Sequence, residues 1–323
     1  MRERGRALVL GATGLAGSAL VRRFLDDGWA VSATVRSLEA AARIEDALRG
    51  ARIIQLVDAL DCAAVLALLL DEPPDVLVNC VSSNPMVTGD AARVYGDGNL
   101  TAVAVALDAC RRAGINRAIV FGSGSEYAPA DRPLDERAPL GATTLYAATK
   151  AGGTALAHYF RNVEGLDVPV VRPFSIYGPR ERLHRLVPYL ITALLREEPV
   201  EMSSGKQRRD YLHVDDLADG LVKLAGHPGP LPEHLNFAGS EQHTVLDLAT
   251  TLRAITGSEA PLLIDARPPN PGDQLVFLGD STRAREMLDW HPAFDLRAGL
   301  AATVAWYRSH PGFWDLERTG SIG

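Results

Sequence analysis

Cysteine is scarce: Cys62, Cys80 and Cys110 are the only three in 323 residues. An odd count without a C-x-x-C pair builds no disulfide framework and shows no metal-ligand spacing, so no metal site is expected. Reduced core thiols in a cytoplasmic setting are the expectation. Long apolar runs are missing too. The run 65–70 is far too short to cross a bilayer, and the basic N-terminal stretch leads into glycines rather than a signal-peptide core. No block of Lys and Arg occurs. The 33 basic and 40 acidic residues leave a net charge of −7 and a pI of about 5.6. Nucleic acid and anionic membranes are therefore poor partners, and an anionic ligand must be held by local groups.

What is present reads as an ordinary globular chain, 47% hydrophobic and 23% charged. Short apolar runs alternate with helical stretches through the first half. ALVL, AVSATV, RIIQLV, DVLVNC, RAIVFGS and VPVVRPF read as strands, with helices between them, including a long one over 99–113 and one starting near Thr143. Repeated βαβ units predict an α/β fold, a doubly wound parallel sheet that binds ligands at the carboxyl ends of its strands. Past Phe174 the rhythm breaks into segments rich in Pro, Gly and charge, with helices predicted over 215–225 and 244–256. We place a dinucleotide-binding domain over 1–175 and a smaller, mainly substrate-binding lobe over 176–323, some of whose segments return to the first domain.

LVLGATGLAGSAL is a strand, a glycine turn and a helix start. Gly11 permits the tight turn, Gly14 lets backbone approach a pyrophosphate, and Gly17 lets helix and strand pack closely. Thr13 and Leu15 flank the turn. The helix N-terminus adds free N–H groups and partial positive charge. At the end of the second strand a carboxylate would bond a ribose 2′-hydroxyl, but Arg36 and Ser37 stand there. A guanidinium binds a 2′-phosphate with two parallel bonds, so NADP(H) is the expected cofactor and NAD(H) the alternative. Asp58 and Ala59 follow the third strand; Asp58 either accepts the adenine amino group or caps the next helix, with Asp61 in that helix's first turn.

Tyr146 and Lys150, in LYAATKAGG, lie one turn apart on one helix face. A phenol of pKa about 10 exchanges protons poorly near neutrality. An ammonium at about 4 Å contributes roughly 4 kcal/mol at an effective dielectric near 20, before desolvation. That predicts a lowered Tyr146 pKa and a catalytic acid or base. Ser123 follows the strand AIVF, where its hydroxyl would orient the substrate oxygen. Asn99 would bond a backbone carbonyl or water and so help hold Lys150.

GATGLAG, Asn99, FGSGSEYA, YAATK, RPFSIYGPRE and RRDYLHVDD occur in the order and spacing of extended short-chain dehydrogenases, the nucleotide-sugar epimerases, dehydratases and reductases, and the chain resembles that family over nearly its whole length. The resemblance implies a seven-stranded Rossmann sheet with a C-terminal substrate lobe. It implies catalysis by Ser123, Tyr146 and Lys150 with Asn99 in support, a nucleotide-diphosphate sugar as substrate, and a homodimer. The dimer would pair the helices around Asn99 and Tyr146 through Ala102, Ala106, Ala151 and Ala155. Family dehydratases carry Asp-Glu or Ser-Glu just after the catalytic hydroxyl residue; here Gly124 and Ser125 stand there. GSGSEY is most similar to the 4-keto-6-deoxyhexose reductases, with Glu126 matching their second glutamate, so NADPH-dependent ketoreduction is the expected activity and 4-epimerisation the main rival. A non-catalytic cofactor sensor is disfavoured because the three catalytic residues are all retained. By the same resemblance Arg209 grips the diphosphate, while Ser82, Ser83, Asn84, Ser125, Glu126 and Ser175 are placed against the sugar. Ser175 stands where many members have asparagine, and Asn270 where many have arginine before PGD.

Overall fold

The structure is a computed structural model that describes residues 4–83, 90–269 and 272–318. Its main sheet has seven strands: β1 (Arg6–Leu10), β2 (Ala30–Val35), β3 (Arg52–Gln55), β4 (Val76–Asn79), β5 (Ala118–Phe121), β6 (Val170–Pro173) and β7 (His234–Phe237). They run in the order β7-β6-β5-β4-β1-β2-β3, and every pairing is parallel. The chain steps outward from β1 to β3, then returns to lay β4 against the other side of β1. That reversal opens a crevice at the carboxyl ends of β1 and β4, where such sheets bind ligands. This is the expected Rossmann-type architecture.

Four consecutive residues of β1 and all of β4 are buried, because helices cover both faces of the sheet. On one face α1 (Leu15–Asp26) brings Phe24 against a core that also holds Trp29, Leu221, Phe237 and Trp290. On the other, α2 (Cys62–Asp71), α3 (Ala102–Ala113) and α4 (Leu145–Asn162) supply Val65, Leu69, Leu107 and Phe160. Each such side chain contributes about 1.5–3 kcal/mol on burial, an upper figure when the unfolded chain is itself compact. Helix α5 (Val214–Ala225) packs on α1's face. Its Gly220 allows the approach, since a Cβ there would lie 2.4 Å from the Phe237 ring. Thus α5 and β7, both beyond residue 175, build the large domain's layers.

A separate core, with Tyr177, Leu190, Leu194, Leu248, Leu300 and Tyr307, underlies the lobe. Its strand Arg208–Arg209 pairs with His243–Thr244 and Val276–Phe277. Among the described residues no helix is long and apolar enough to cross a membrane.

Two local expectations change. The long helix around Asn99 is divided: a helix over Ala91–Gly96, a π-helical turn over Asp97–Thr101, then α3. Ala102 and Ala106, expected at a dimer contact, are 2% and 0% exposed within a single chain, because that side of α3 faces its own sheet and α4. Leu100, Leu145, Tyr159 and Val163 are among the exposed large apolar residues of this region, and Ala155 on α4 is exposed as well.

Candidate active site

Gly11 ends β1 with φ +77°, and its N–H donates to Thr34 Oγ1 at 3.1 Å. A Cβ on Gly17 would lie 2.4 Å from the Gly11 carbonyl oxygen, so glycine alone permits this closeness of helix and turn. Gly14 differs: a Cβ there would meet only the Gly11 oxygen, at an ordinary 3.7 Å. The protein's own packing makes no demand for glycine at that position. Gly14 is exposed and N-caps α1 without a side-chain bond, and the first turn carries no acid. Thr13 and Leu15 lie half-buried beside it. An uncapped helix N-terminus fronted by an exposed glycine fits a cofactor pyrophosphate.

Thr144 caps α4 by accepting from Ala147 N at 3.1 Å, which sets Tyr146 and Lys150 in the first turns. Lys150 is 3% exposed and donates through Nζ to the Phe121 carbonyl at 3.0 Å, at the end of β5. Burial pushes the ammonium down to about 8, and Nζ lies 5.9 Å from the Tyr146 ring centre. The Tyr146 pKa is raised, not lowered as the sequence suggested. Burial dominates, opposed by a side-chain hydrogen bond with Ser123 and then by the charge of Arg185. Lys150 donates to the Phe121 carbonyl, and its charge does not outweigh that burial. The phenol accordingly holds its proton near neutrality.

Ser123 leaves β5 with extended backbone and N-caps the short 3-10 turn Gly124–Glu126. Its Oγ lies 2.8 Å from Ser125 Oγ and accepts from Ser125 N at 3.2 Å. The glycines of GSG are steric: a Cβ on Gly122 would sit 2.5 Å from Glu126 Oε1, and one on Gly124 2.6 Å from the Phe174 ring. Tyr146, Ser123 and Ser125 thus form a line of hydroxyls at a strand's carboxyl end, able to donate to a carbonyl oxygen.

Asn99, 1% exposed, accepts from Ser82 Oγ at 2.9 Å and Ser83 N at 3.0 Å. It donates to the Ser83 carbonyl at 3.0 Å and to Thr149 Oγ1 at 3.1 Å. It therefore bonds a backbone carbonyl as expected, but its link to α4 runs through Thr149, not Lys150. The π-turn, a device frequent at functional sites, aims the amide at both elements. Ser82 is exposed and Ser83 half-buried; Asn84 lies outside the described residues.

The expectation that Glu126 faces the sugar is corrected. Its carboxylate is fully buried, with Oε1 accepting from Ser123 N at 2.8 Å and Oε2 from Thr154 Oγ1 at 2.9 Å and Arg172 Nε at 3.0 Å. A buried carboxylate keeps its charge only when so satisfied, and Arg172, itself 2% exposed, supplies the counter-charge. Sequence reasoning missed Arg172, although a charge inside the apolar strand VPVVRPF signals a buried partner. It also missed Thr149, Thr154 and Arg185. The threonines sit on α4 beside Lys150, whereas no local pattern points to Arg185.

Arg36 stands exposed at the end of β2, its carbonyl accepting from Gln55 Nε2 at 3.4 Å. Ser37 N-caps the short helix Leu38–Ala42, accepting from Ala40 N at 3.1 Å. Asp58 is exposed and accepts from Leu60 N at 2.8 Å, with half-buried Ala59 next to it. The cap of α2 is Asp61, not Asp58: its side chain accepts from Ala63 N and Ala64 N. Ser175 has φ +29°, a backbone region asparagine tolerates better than serine, and its carbonyl accepts from Leu212 N at 3.2 Å. In the lobe, Arg209 is turned inward, 12% exposed, and pairs with Asp273 at 2.5 Å, while Arg208 points outward. Hydrogen bonds connect Asn99 with α4 and Ser123 with Tyr146; among the described residues none joins Arg209 to that cluster, and it bonds the Arg208 carbonyl and Asp273 instead.

The sequence model of the NAD dependent epimerase/dehydratase family matches residues 7–238. The chain is 29% identical to a UDP-glucose 4-epimerase of Mycolicibacterium smegmatis, over 94% of this chain and 99% of that protein. It is 30% identical to a dTDP-4-dehydro-6-deoxy-D-allose reductase of Streptomyces bikiniensis, over 94% and 96%. In fold it is similar to the crystal structure of a UDP-glucuronic acid 4-epimerase from Bacillus cereus in complex with UDP-glucuronic acid and NAD, with a TM-score of 0.86 at 23% identity, covering 94% of this chain and 99% of that one. With the glycine turn at β1 and the Ser123, Tyr146 and Lys150 cluster at β5 and α4, these matches establish that the chain belongs to the NAD dependent epimerase/dehydratase family.

Proposed function

We propose that the protein reduces a nucleotide-diphosphate-linked 4-keto-6-deoxyhexose to the 6-deoxyhexose with NADPH. One observation carries the reading. Strand β5 ends in a hydroxyl line whose neighbouring carboxylate is not free for a second proton transfer, since Glu126 is held by Arg172, Thr154 and Ser123. Elimination of water needs such a second acid or base, so the chemistry stops at the alcohol. A nicotinamide cofactor, when bound, supplies the hydride chemistry. Gly11, Thr13, Gly14, Leu15 and Gly17 would hold its pyrophosphate, Asp58 and Ala59 the adenine, and Arg36 with Ser37 the 2′-phosphate, at a strand end that carries no acid in its last position.

Tyr146 gives its proton to the carbonyl oxygen as negative charge grows there, and Ser123 donates a hydrogen bond to the same oxygen. Lys150, charged below about 8, favours the phenolate left behind. Ser82, Ser83, Ser125 and Ser175 would meet the hexose, and Arg209 the diphosphate. A homodimer through the exposed Leu100, Leu145 and Tyr159 belongs to the same proposal.

A 4-epimerase is the second reading, favoured by the 29% identity to a UDP-glucose 4-epimerase along nearly its full length. The test offers NADPH with thymidine- or guanosine-diphosphate 4-keto-6-deoxyhexoses, and separately nucleotide-linked glucose, galactose and glucuronate without added reductant. NADPH consumption with the keto-sugars alone supports the reductase. Interconversion within the second set, without net cofactor oxidation, overturns it in favour of the epimerase.

A further inference from the structure

Far along α4 from the catalytic residues, His158 meets the edge strand β7 and the residue before it. Lys150, Thr154 and His158 follow at four-residue intervals on α4, a polar stripe facing the sheet. The first two have their partners in Phe121 and Glu126. His158 Nδ1 lies 3.5 Å from Glu233 Oε1, and the His158 and His234 rings are 5.6 Å apart. One ligand atom from each of His158, Glu233 and His234 lies within 4.8 Å of the others.

The hydrogen bonding leaves two nitrogen atoms unanswered. His234 Nε2 lies 3.2 Å from the Glu136 carbonyl, which can only accept, so that nitrogen carries the proton and Nδ1 presents a lone pair. Both His234 Nδ1 and His158 Nε2 are buried atoms with no hydrogen-bond partner. An imidazole fixed by donating its far N–H to a carbonyl, with its near nitrogen free, is the usual arrangement of a metal-bound histidine. The nearby Arg172 charge is met by Glu126 at 3.0 Å, and Arg161 lies 3.5 Å from Asp167. The Glu233 side chain, 42% exposed, has freedom to close on an ion and leaves a path for entry.

We propose that His158, Glu233 and His234 form a binding site for a divalent transition-metal ion of the Zn2+ type. Two imidazoles and one carboxylate suit Zn2+, Co2+ or Ni2+ and not Mg2+ or Ca2+, which take oxygen ligands. Such an ion would staple the far end of the catalytic helix to the sheet edge. The site is independent of the proposed reaction.

The test uses the full chain, untagged and stripped with chelator, and titrates it with Co2+ followed by absorption and with Zn2+ by competition. About one equivalent is expected to bind with micromolar affinity. Zn2+ at a hundredfold excess over its dissociation constant should raise Tm by roughly 4 °C. His158→Ala and His234→Ala should each weaken binding at least about tenfold. Glu233→Gln, at a half-exposed position, keeps the test valid if either histidine variant fails to fold. Absence of binding below about millimolar metal, or unchanged affinity in Glu233→Gln and a folded histidine variant, overturns the proposal.

Discussion

Replacing Glu126 by Gln removes the charge from a carboxylate that three protein donors surround. Arg172 Nε, Thr154 Oγ1 and Ser123 N lie 3.0, 2.9 and 2.8 Å from its oxygens. An amide has one accepting oxygen, so its NH2 must face at least one of these donors. Arg172 would keep its charge at 2% exposure, facing at best a neutral amide oxygen beside the Tyr127 hydroxyl, 2.8 Å from Nη1, and the Tyr127 ring. Breaking one side of a buried pair typically costs about 3–5 kcal/mol. Retention of shape and of one acceptor places Glu126→Gln near 3 kcal/mol. At roughly 1.5 °C per kcal/mol for a chain of this length, Tm should fall by about 4–5 °C. Scanning calorimetry and urea titration of both proteins measure this. Turnover per folded molecule should fall as well, because the Ser123 backbone loses its anchor, while the substrate KM stays near its original value. A variant as stable as the parent with a KM raised tenfold would refute the structural assignment and return Glu126 to the sugar. Adding Arg172→Met should recover much of the lost stability, since the stranded charge is gone.

Lys150→Met should abolish turnover yet stabilise the protein at pH 7. Displacement of the ammonium from 10.5 to about 8 corresponds to about 3 kcal/mol, partly offset by the lost bond to Phe121, leaving a gain of about 1–2 kcal/mol in calorimetry. Because the folded pKa is depressed, the unfolded chain holds the extra proton between about 8 and 10.5, and the parent's stability should climb with pH across that window while the variant's does not. Glu181 has the opposite sign: burial raises it to about 7 from 4.5, so its contribution falls as pH rises through that range, and Glu181→Gln should stabilise at pH 8 by about 1–3 kcal/mol in urea titrations. Tyr146→Phe should leave NADPH binding, followed by fluorescence, nearly intact and lower kcat by at least about a hundredfold. Arg36→Asp should weaken NADPH roughly tenfold to a hundredfold while sparing NADH; equal effects on both would count against a 2′-phosphate contact.

The amino-acid sequence by itself determined the sheet and the cofactor turn. Alternating apolar runs and helices specify βαβ units whose handedness and pairing have few solutions, and Gly11 and Gly14 between β1 and α1, with Gly17 in the first turn of α1, mark a turn whose geometry is local. Tyr146 and Lys150 were legible for the same reason, since four residues on a helix is a fixed distance. The tertiary structure decided what depends on residues distant in the chain. Glu126 reads as a residue facing the sugar until Arg172, forty-six positions on, is placed beside it by the β5–β6 pairing. Lys150 reads as the group that lowers the tyrosine pKa until the Phe121 carbonyl takes its proton donor and burial sets the sign at Tyr146. Ala102 and Ala106 read as a dimer stripe until the sheet's own core claims them. Burial and electrostatics sum over every neighbour a residue acquires, and those neighbours are supplied by the fold, not by the sequence window around it.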